Sequence, residues 1–271
     1  MPCLPLRSLS IEASAALAKL EKFFMSRPAF LIAYSGGMDS SFLAIAASRY
    51  ASTAYRAVLV NSPFTSAEEM QIARHTATIY RLNYEEIGAN PLLADEVVQN
   101  DPQRCYHCKK LIFNKLLELV RPEETICEGS VIDDETDYRP GKQAIKELKI
   151  CSPLHECGFS KAIISEILTA EGATGVVRPG QSCLATRIAT GTPITPAALE
   201  QIAAGEEMLR RAGLSFFRLR HHGNLARLEV APGQRHRALD IAAALAEDFA
   251  KIGFKHVCID ITGYRRGSMN R

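Results

Sequence analysis

The chain has 271 residues, of which 47% are hydrophobic, 23% charged and 7% aromatic, the balance of an ordinary globular protein with one substantial core or two modest ones. Lysine and arginine number 32 against 30 acidic residues, and a formal charge of +2 argues against a polyanion-coating protein, so no nucleic-acid partner is expected. No apolar run approaches the ~18 residues of a membrane helix, and the N-terminal stretch lacks a basic segment followed by a clean apolar run, so a cytoplasmic, membrane-free location is expected.

Residues 9–26 carry Ile11, Leu17, Leu20, Phe23 and Phe24 at helical spacing and stop before Pro28. Residues 29–34 then form a short apolar run, closed by Ser35-Gly36-Gly37 and followed by a small-residue helix from Ser40 to Ala47. That order is strand, glycine turn, helix. A second strand is expected at 55–60, a helix at 66–80, a third strand at 82–87 and another near 126–130, with a polar excursion at 100–110 between them. Buried strands alternating with helices predict an α/β fold with a doubly wound, mainly parallel sheet over residues 1–180. From residue 195 the pattern changes to a helix (195–212), paired strands (216–220 and 226–230), a helix (235–252) and a strand (255–261). This predicts a smaller α+β domain over 181–271, where 13 basic residues face 8 acidic ones.

The turn Ser35-Gly36-Gly37-Met38-Asp39-Ser40-Ser41 lies between strand and helix. Glycines admit an anion close to the backbone, serine hydroxyls donate to phosphate oxygens, and a helix start adds positive potential. A pyrophosphate fits there. Asp39 offers the oxygen ligand that Mg²⁺ prefers. A plain turn with a serine cap is the bland alternative, and neither a Walker ending nor a dinucleotide fingerprint is present.

Cysteines stand at 3, 105, 108, 127, 151, 157, 183 and 258, too sparse for a disulfide-stapled domain. Cys105 and Cys108 form the one close pair, as expected of a metal or redox site in a reducing compartment. Arg218 and Arg220 alternate along an expected strand and share a face, with His222 next in register. Such a face can grip a substrate phosphate, Arg187 is a second candidate, and a solvated strand edge is the alternative. Asp133 and Asp137 are either ligands or polar loop residues.

The turn resembles the PP-loop of the N-type ATP pyrophosphatases, which split ATP between the α and β phosphates to adenylylate a substrate. The resemblance implies ATP and Mg²⁺ at Ser35, Gly36, Gly37, Asp39, Ser40 and Ser41, with the adenine near Val58 to Asn61. Together with Cys105-Tyr-His-Cys108-Lys109, Asp137-Tyr-Arg-Pro-Gly141, Ser182-Cys183-Leu-Ala-Thr-Arg187 and Gly263-Tyr-Arg-Arg-Gly-Ser-Met-Asn270, it resembles the LarE family of ATP-dependent sulfur transferases. That family activates the carboxylates of a pyridinium dicarboxylate mononucleotide with ATP and replaces oxygen by sulfur, making the thiocarboxylates of the nickel-pincer cofactor of lactate racemase.

By this resemblance Cys183 is the sulfur-bearing cysteine, and Asp39 and Arg187 join it in catalysis. Some members consume the cysteine sulfur in a single use; others hold a [4Fe-4S] cluster on three cysteines, here Cys105, Cys108 and Cys183. Thiolates suit such a cluster, and the cluster form is the favoured expectation. A structural zinc completed by His107 or another cysteine is the competing one. Glu206 and Glu229 match acidic metal-contacting positions, although an exposed carboxylate is an equal reading of Glu206. The resemblance further implies a sulfide donor or cysteine desulfurase as partner, and a homo-oligomer. Departures are the absence of tryptophan and Thr186 at a serine position. A tRNA thiolase of the same superfamily, a synthetase fed by an amidotransferase and an ATP- or metal-binding regulator without turnover are the rivals.

Overall fold

Phe30, Ile32 and Tyr34 face one way and Leu31 and Ala33 the other, so the apolar strand β1 (Ala29–Tyr34) feeds two separate core layers. It lies inside a four-stranded parallel sheet, with β2 (Ala54–Asn61) and then β3 (Tyr84–Gly88) on one side and β4 (Glu124–Cys127) on the other. The computed structural model describes residues 9–51, 54–136, 140–178, 180–265 and 268–269.

One layer packs the sheet against α1 (Ile11–Met25) and α2 (Met38–Tyr50) through Leu20, Phe24, Phe30, Ile32 and Leu43, all fully buried. Burying each such side chain contributes about 1.5–3 kcal/mol. Phe24 and Phe30 meet edge to face with centroids 5.0 Å apart. Helix α3 (Ala67–Ile79) follows β2, and a one-turn α4 (Asp95–Val98) precedes α5 (Arg104–Leu117). The other layer sets Phe113 and Leu116 of α5 and Ile145 of α6 (Gly141–Glu147) against Leu31, Val58 and Ile126. After the single turn of α7 (Pro153–Glu156), α8 (Lys161–Ala170) returns Ile164, Ile167 and Leu168 to the first layer; its start is capped by Ser160, whose Oγ accepts the Ile163 N–H.

A second sheet orders β5 (Phe217–His222), β6 (Leu225–Val230) and β7 (His256–Ile259), with β5 and β6 antiparallel and β6 and β7 parallel. The two-residue turn Gly223-Asn224 joins the hairpin, Gly223 at φ +65°. Helix α9 (Pro196–Arg211) starts with a Thr195 cap and Pro196, and its Gly205 admits Leu219 so closely that an added Cβ would lie 2.4 Å from Leu219 Cδ2. The chain divides into two units: Met1–Ser62, Glu68–Ala89 and Cys105–Gln181 in one, and Pro63–Ala67, Asn90–Arg104 and Ser182–Arg271 in the other.

Two expectations need correction. The polar excursion at 100–110 is in large part the start of α5: Asp101 accepts the Gln103 N–H at 2.7 Å and the Arg104 N–H bonds to its carbonyl, so an aspartate opens a helix whose polar first turn hides it. The expected helix 235–252 is two helices, α10 (Arg235–Ala244) and α11 (Ala246–Lys251), broken at Leu245 where ψ reaches 10°. The apolar spacing runs through Ala238, Ala242, Leu245 and Phe249 without interruption, which conceals the break. Among the described residues no helix is long and apolar enough to cross a membrane.

Candidate functional site

Connectivity reverses between β1 and β4, and open parallel sheets bind ligands at the carboxyl ends of strands at such a reversal. Both loops there depend on glycine. Gly36 follows β1 at φ +75°, and a Cβ on it would lie 2.4 Å from the Ala73 Cβ of α3. Gly129 follows β4, and a Cβ on it would lie 2.9 Å from the Ser40 N. Backbone therefore meets backbone at the start of α2.

Ser35 and Ser40 face each other, their Oγ atoms 3.0 Å apart; Ser40 Oγ accepts the Ser35 N–H at 3.2 Å and donates to the Gly37 carbonyl at 3.2 Å. Asp39 stands in the first turn of α2, the one carboxylate of the turn. Ser41 is buried against Tyr34, whose hydroxyl donates to the Ala73 carbonyl at 2.8 Å. Burial raises the Tyr34 phenol above its ordinary value, with the nearby Ser41 and Thr76 side chains opposing. Asn61, at the end of β2, donates through Nδ2 to Glu86 at 3.0 Å.

Two residues in this region went unnoticed in the sequence. Glu128, directly after β4, is buried and accepts the Ser130 N–H at 3.0 Å, the Ser130 hydroxyl at 2.9 Å and the Ser152 hydroxyl at 2.6 Å, with Lys109 Nζ at 3.9 Å. Its signal is the Glu-Gly-Ser sequence at a strand end. Arg178 donates to Glu69 at 2.6 and 3.0 Å and to the Gly36 carbonyl at 2.9 Å.

Cys105 and Cys108 lie one turn apart on α5 and share a face, the first exposed and the second half-buried. Gly141 lets α6 start against them: a Cβ there would fall 2.9 Å from Lys109 Cδ and 3.4 Å from the Cys105 carbonyl. The pair offers two soft ligands. Among the described residues no group of three His, Cys, Asp or Glu stands ready to hold a metal. Burial pushes the Cys127, Cys151 and Cys157 thiols up, and Cys258 as well, which suits inert thiols rather than nucleophiles. Asp133 accepts the Lys161 N–H at 2.8 Å at the start of α8. Asp137 lies outside the described residues.

In the second unit Cys183 is exposed and opens the short turn Leu184–Arg187. Two buried arginines hold that turn by its carbonyls. Arg187 donates through Nη1 to the Ser182 carbonyl and hydroxyl, both at 2.7 Å, and to the Cys183 carbonyl at 3.2 Å. Arg220 donates to the Thr186 carbonyl at 2.9 Å. Each has its own buried carboxylate: Glu206 takes two hydrogen bonds from Arg187, and Glu229 binds Arg220 at 2.7 Å while also accepting from Arg227 and Ser268. Glu206 and Glu229 are thus engaged with guanidinium groups. The sequence left these pairings unseen because each partner alone reads as a surface charge.

Arg218 differs from both. It donates to the Phe217 carbonyl at 2.7 Å and lies 5.3 Å from the Tyr264 ring centroid, and among the described residues it makes no ion pair with a carboxylate. Burial lowers its pKa and the neighbouring Arg187 charge lowers it further, against the opposing pull of the Glu206 carboxylate. A partly desolvated guanidinium whose buried Nε has no partner among the described residues has a donor left for an anion.

The parallel sheet with its serine and glycine turn after β1 defines an α/β protein of the PP-loop type. No family model matches the chain. It is 34% identical over 259 residues to an uncharacterized protein of Synechocystis, covering 94% of this chain and 97% of that one. An uncharacterized protein of Methanocaldococcus jannaschii is 31% identical over 237 residues, 87% of this chain and 90% of its own length. The pyridinium-3,5-bisthiocarboxylic acid mononucleotide synthase of Lactiplantibacillus plantarum is 28% identical over 242 residues, 88% of each. The chain belongs to the LarE-like family.

Proposed function

We propose that this protein is an ATP-dependent sulfur transferase that converts the carboxylates of a pyridinium dicarboxylate mononucleotide to thiocarboxylates. The synthase name of the Lactiplantibacillus relative supports the product class. The observation that carries the reading is in the second unit: an exposed Cys183 on a turn clamped by Arg187 and Arg220, and on the same strand as Arg220 the guanidinium of Arg218, which forms no ion pair with a described carboxylate and whose buried Nε has no hydrogen-bond partner among the described residues.

A carboxylate resists sulfur nucleophiles because its charge repels them and oxide is no leaving group. Attack of a carboxylate oxygen on the α-phosphorus of ATP expels pyrophosphate and leaves an acyl-adenylate. A sulfur nucleophile then adds to the acyl carbon, the tetrahedral adduct collapses, and AMP departs with the former carboxylate oxygen. The Ser35 to Ser41 turn binds the phosphates that leave, and Asp39 would hold the Mg²⁺ that neutralises them. Cys183 carries the sulfur, or supplies its own: its thiolate takes the acyl group from AMP as a thioester, and loss of the Cα proton with cleavage of the Cβ–S bond then releases the thiocarboxylate and leaves dehydroalanine. Arg218 binds the substrate phosphate. Arg187 and Arg220 keep the Cys183 turn in one shape.

Cys105 and Cys108 would hold a [4Fe-4S] cluster with Cys183 as third ligand; such a cluster supplies an open iron for renewable sulfide. Two thiolates on one face of α5 support that reading.

The test is pyrophosphate release and product mass with the dicarboxylate mononucleotide and ATP under anaerobic conditions. Carboxylate-dependent pyrophosphate release and exchange of oxygen for sulfur are expected, with Cys183→Ala retaining the first and losing the second. No pyrophosphate release from the wild type overturns the function. About four irons and four sulfides per chain, lost on replacing any of the three cysteines, support the cluster. An iron-free protein that loses the Cys183 sulfur after one turnover is the single-use enzyme instead.

A further inference from the structure

We propose that Arg178 is a positioning residue of the phosphate-binding turn, fixing the peptide between Gly36 and Gly37 so that its N–H is presented to the nucleotide phosphates. The inference rests on the nucleotide reading of that turn and adds to it a residue outside the turn.

A Gly-Gly peptide is the most easily rotated unit in a chain, because neither residue has a Cβ to restrict it. Carbonyl and N–H of one trans peptide point in opposite directions. Holding the Gly36 carbonyl therefore sets the direction of the Gly37 N–H, which is exposed and meets the Ser35 Oγ only at 3.5 Å, a contact weak enough for an anion to replace. Rotation of that peptide would turn a carbonyl oxygen toward the anion site and a donor away from it.

Arg178 holds that carbonyl at 2.9 Å through Nη2. The guanidinium is itself fixed by a forked pair with Glu69, at 2.6 Å from Nη1 and 3.0 Å from Nη2. Both side chains are largely buried, with exposures of 19% and 14%. Glu69 lies on α3, the helix whose Ala73 sits against the Gly36 Cα side. One helix thus fixes the glycine twice, by packing at Ala73 and by a charged relay from Glu69 through Arg178. A lysine could reach one acceptor but could not bridge both with a planar fork.

The experiment measures binding of ATP, inorganic pyrophosphate and adenosine by calorimetry to the wild type, Arg178→Ala, Arg178→Lys and Glu69→Gln. Arg178→Ala should weaken ATP and pyrophosphate about 10- to 100-fold, the effect of losing one charge-assisted hydrogen bond, and leave adenosine unchanged. Arg178→Lys should recover part of the loss, and added guanidinium ion should restore Arg178→Ala.

Glu69→Gln separates positioning from direct phosphate contact. If Arg178 acts on Gly36, loosening its fork weakens ATP binding. Tighter ATP binding by Glu69→Gln overturns the proposal, since it means Glu69 competes with phosphate for the arginine. ATP affinity of Arg178→Ala within twofold of wild type, or parallel loss of adenosine, overturns it too. A wild type that binds no ATP removes the nucleotide reading and this inference together, whereas unaltered binding by Arg178→Ala overturns the inference alone.

Discussion

Arg187 and Glu206 meet through two hydrogen bonds, Nε to Oε1 at 2.8 Å and Nη2 to Oε2 at 3.2 Å, with side-chain exposures of 2% and 5%. A pair so buried is costly to break from one side, because the remaining charge stays in a poor solvent. Glu206→Gln or Arg187→Met alone should lower the unfolding free energy by about 3–5 kcal/mol, and Arg187→Met with Glu206→Leu should regain most of it. Urea unfolding measures this. Sulfur transfer should not return in the double variant, since the Ser182 and Cys183 carbonyls lose their donor.

Arg218 and Arg220, two positions apart on β5, should give opposite results. Arg220→Ala leaves Glu229, fully buried, without its main partner and should cost about 3–5 kcal/mol. Arg218→Ala removes a desolvated charge that forms no ion pair among the described residues, so stability should change by less than about 1 kcal/mol or rise. Affinity for the mononucleotide should drop at least about tenfold, the worth of one charge-assisted phosphate contact. Thermal unfolding and equilibrium binding on the same samples check both halves; equal losses of stability would remove the distinction.

Glycine substitutions at the turn test close approach directly. Gly129→Ala forces the start of α2 aside, because its Cβ would lie 2.9 Å from the Ser40 N and 3.2 Å from the Asp39 carbonyl carbon. ATP affinity should fall by about tenfold or more, as phosphate contacts misalign. Gly88→Ala, at the end of β3 with nothing within 4 Å of the added Cβ, is the matched control and should bind ATP normally.

The pH dependence has a legible contributor in Glu124. Arg56 donates to it at 2.8 and 2.9 Å and holds its carboxyl below the ordinary carboxylate range, with the Arg121 N–H at 2.8 Å adding to the effect. A carboxyl whose folded pKa is depressed stabilises the protein above its unfolded value near ~4.3 and loses that contribution as pH falls through the folded value. The stability gap between wild type and Glu124→Gln should be constant from about pH 7 to pH 5 and shrink at more acid pH. Urea midpoints across that range measure it, and a gap that widens on acidification would contradict the assignment.

Local pattern carried the strands and the glycine turn. Apolar runs at β1 and β2 need only period and composition, and a turn of serine and glycine between strand and helix is a local statement about backbone freedom. What stayed hidden was contact between distant residues. Arg178 acts on Gly36 from 142 positions away, and nothing near it in the chain advertises that carbonyl. Glu206 and Arg187 are 19 apart, and each by itself looks like a solvated charge. Cys105 and Cys108 were visible as a pair, but their helix was not, because its outward first turn is polar while Phe113 and Leu116 supply the buried face further on.

Asn100, fully buried at φ 57°, donates from its side chain to the Ala189 and Thr192 carbonyls at 2.9 Å each, and its own carbonyl accepts the Gly191 N–H at 2.8 Å. Arg104 likewise reaches the Ala185 carbonyl at 3.2 Å. These residues precede the Ser182–Arg271 part of their unit by some eighty positions, so during synthesis Asn90–Arg104 leaves the ribosome long before Ser182–Arg271 exists to receive it. The fragment 182–271 made alone lacks its own staple, and the fragment 1–181 carries that staple with nothing to fasten. The second unit is therefore not a separable gene cassette, and an excision that respects this fold has to take the early segment with the late one.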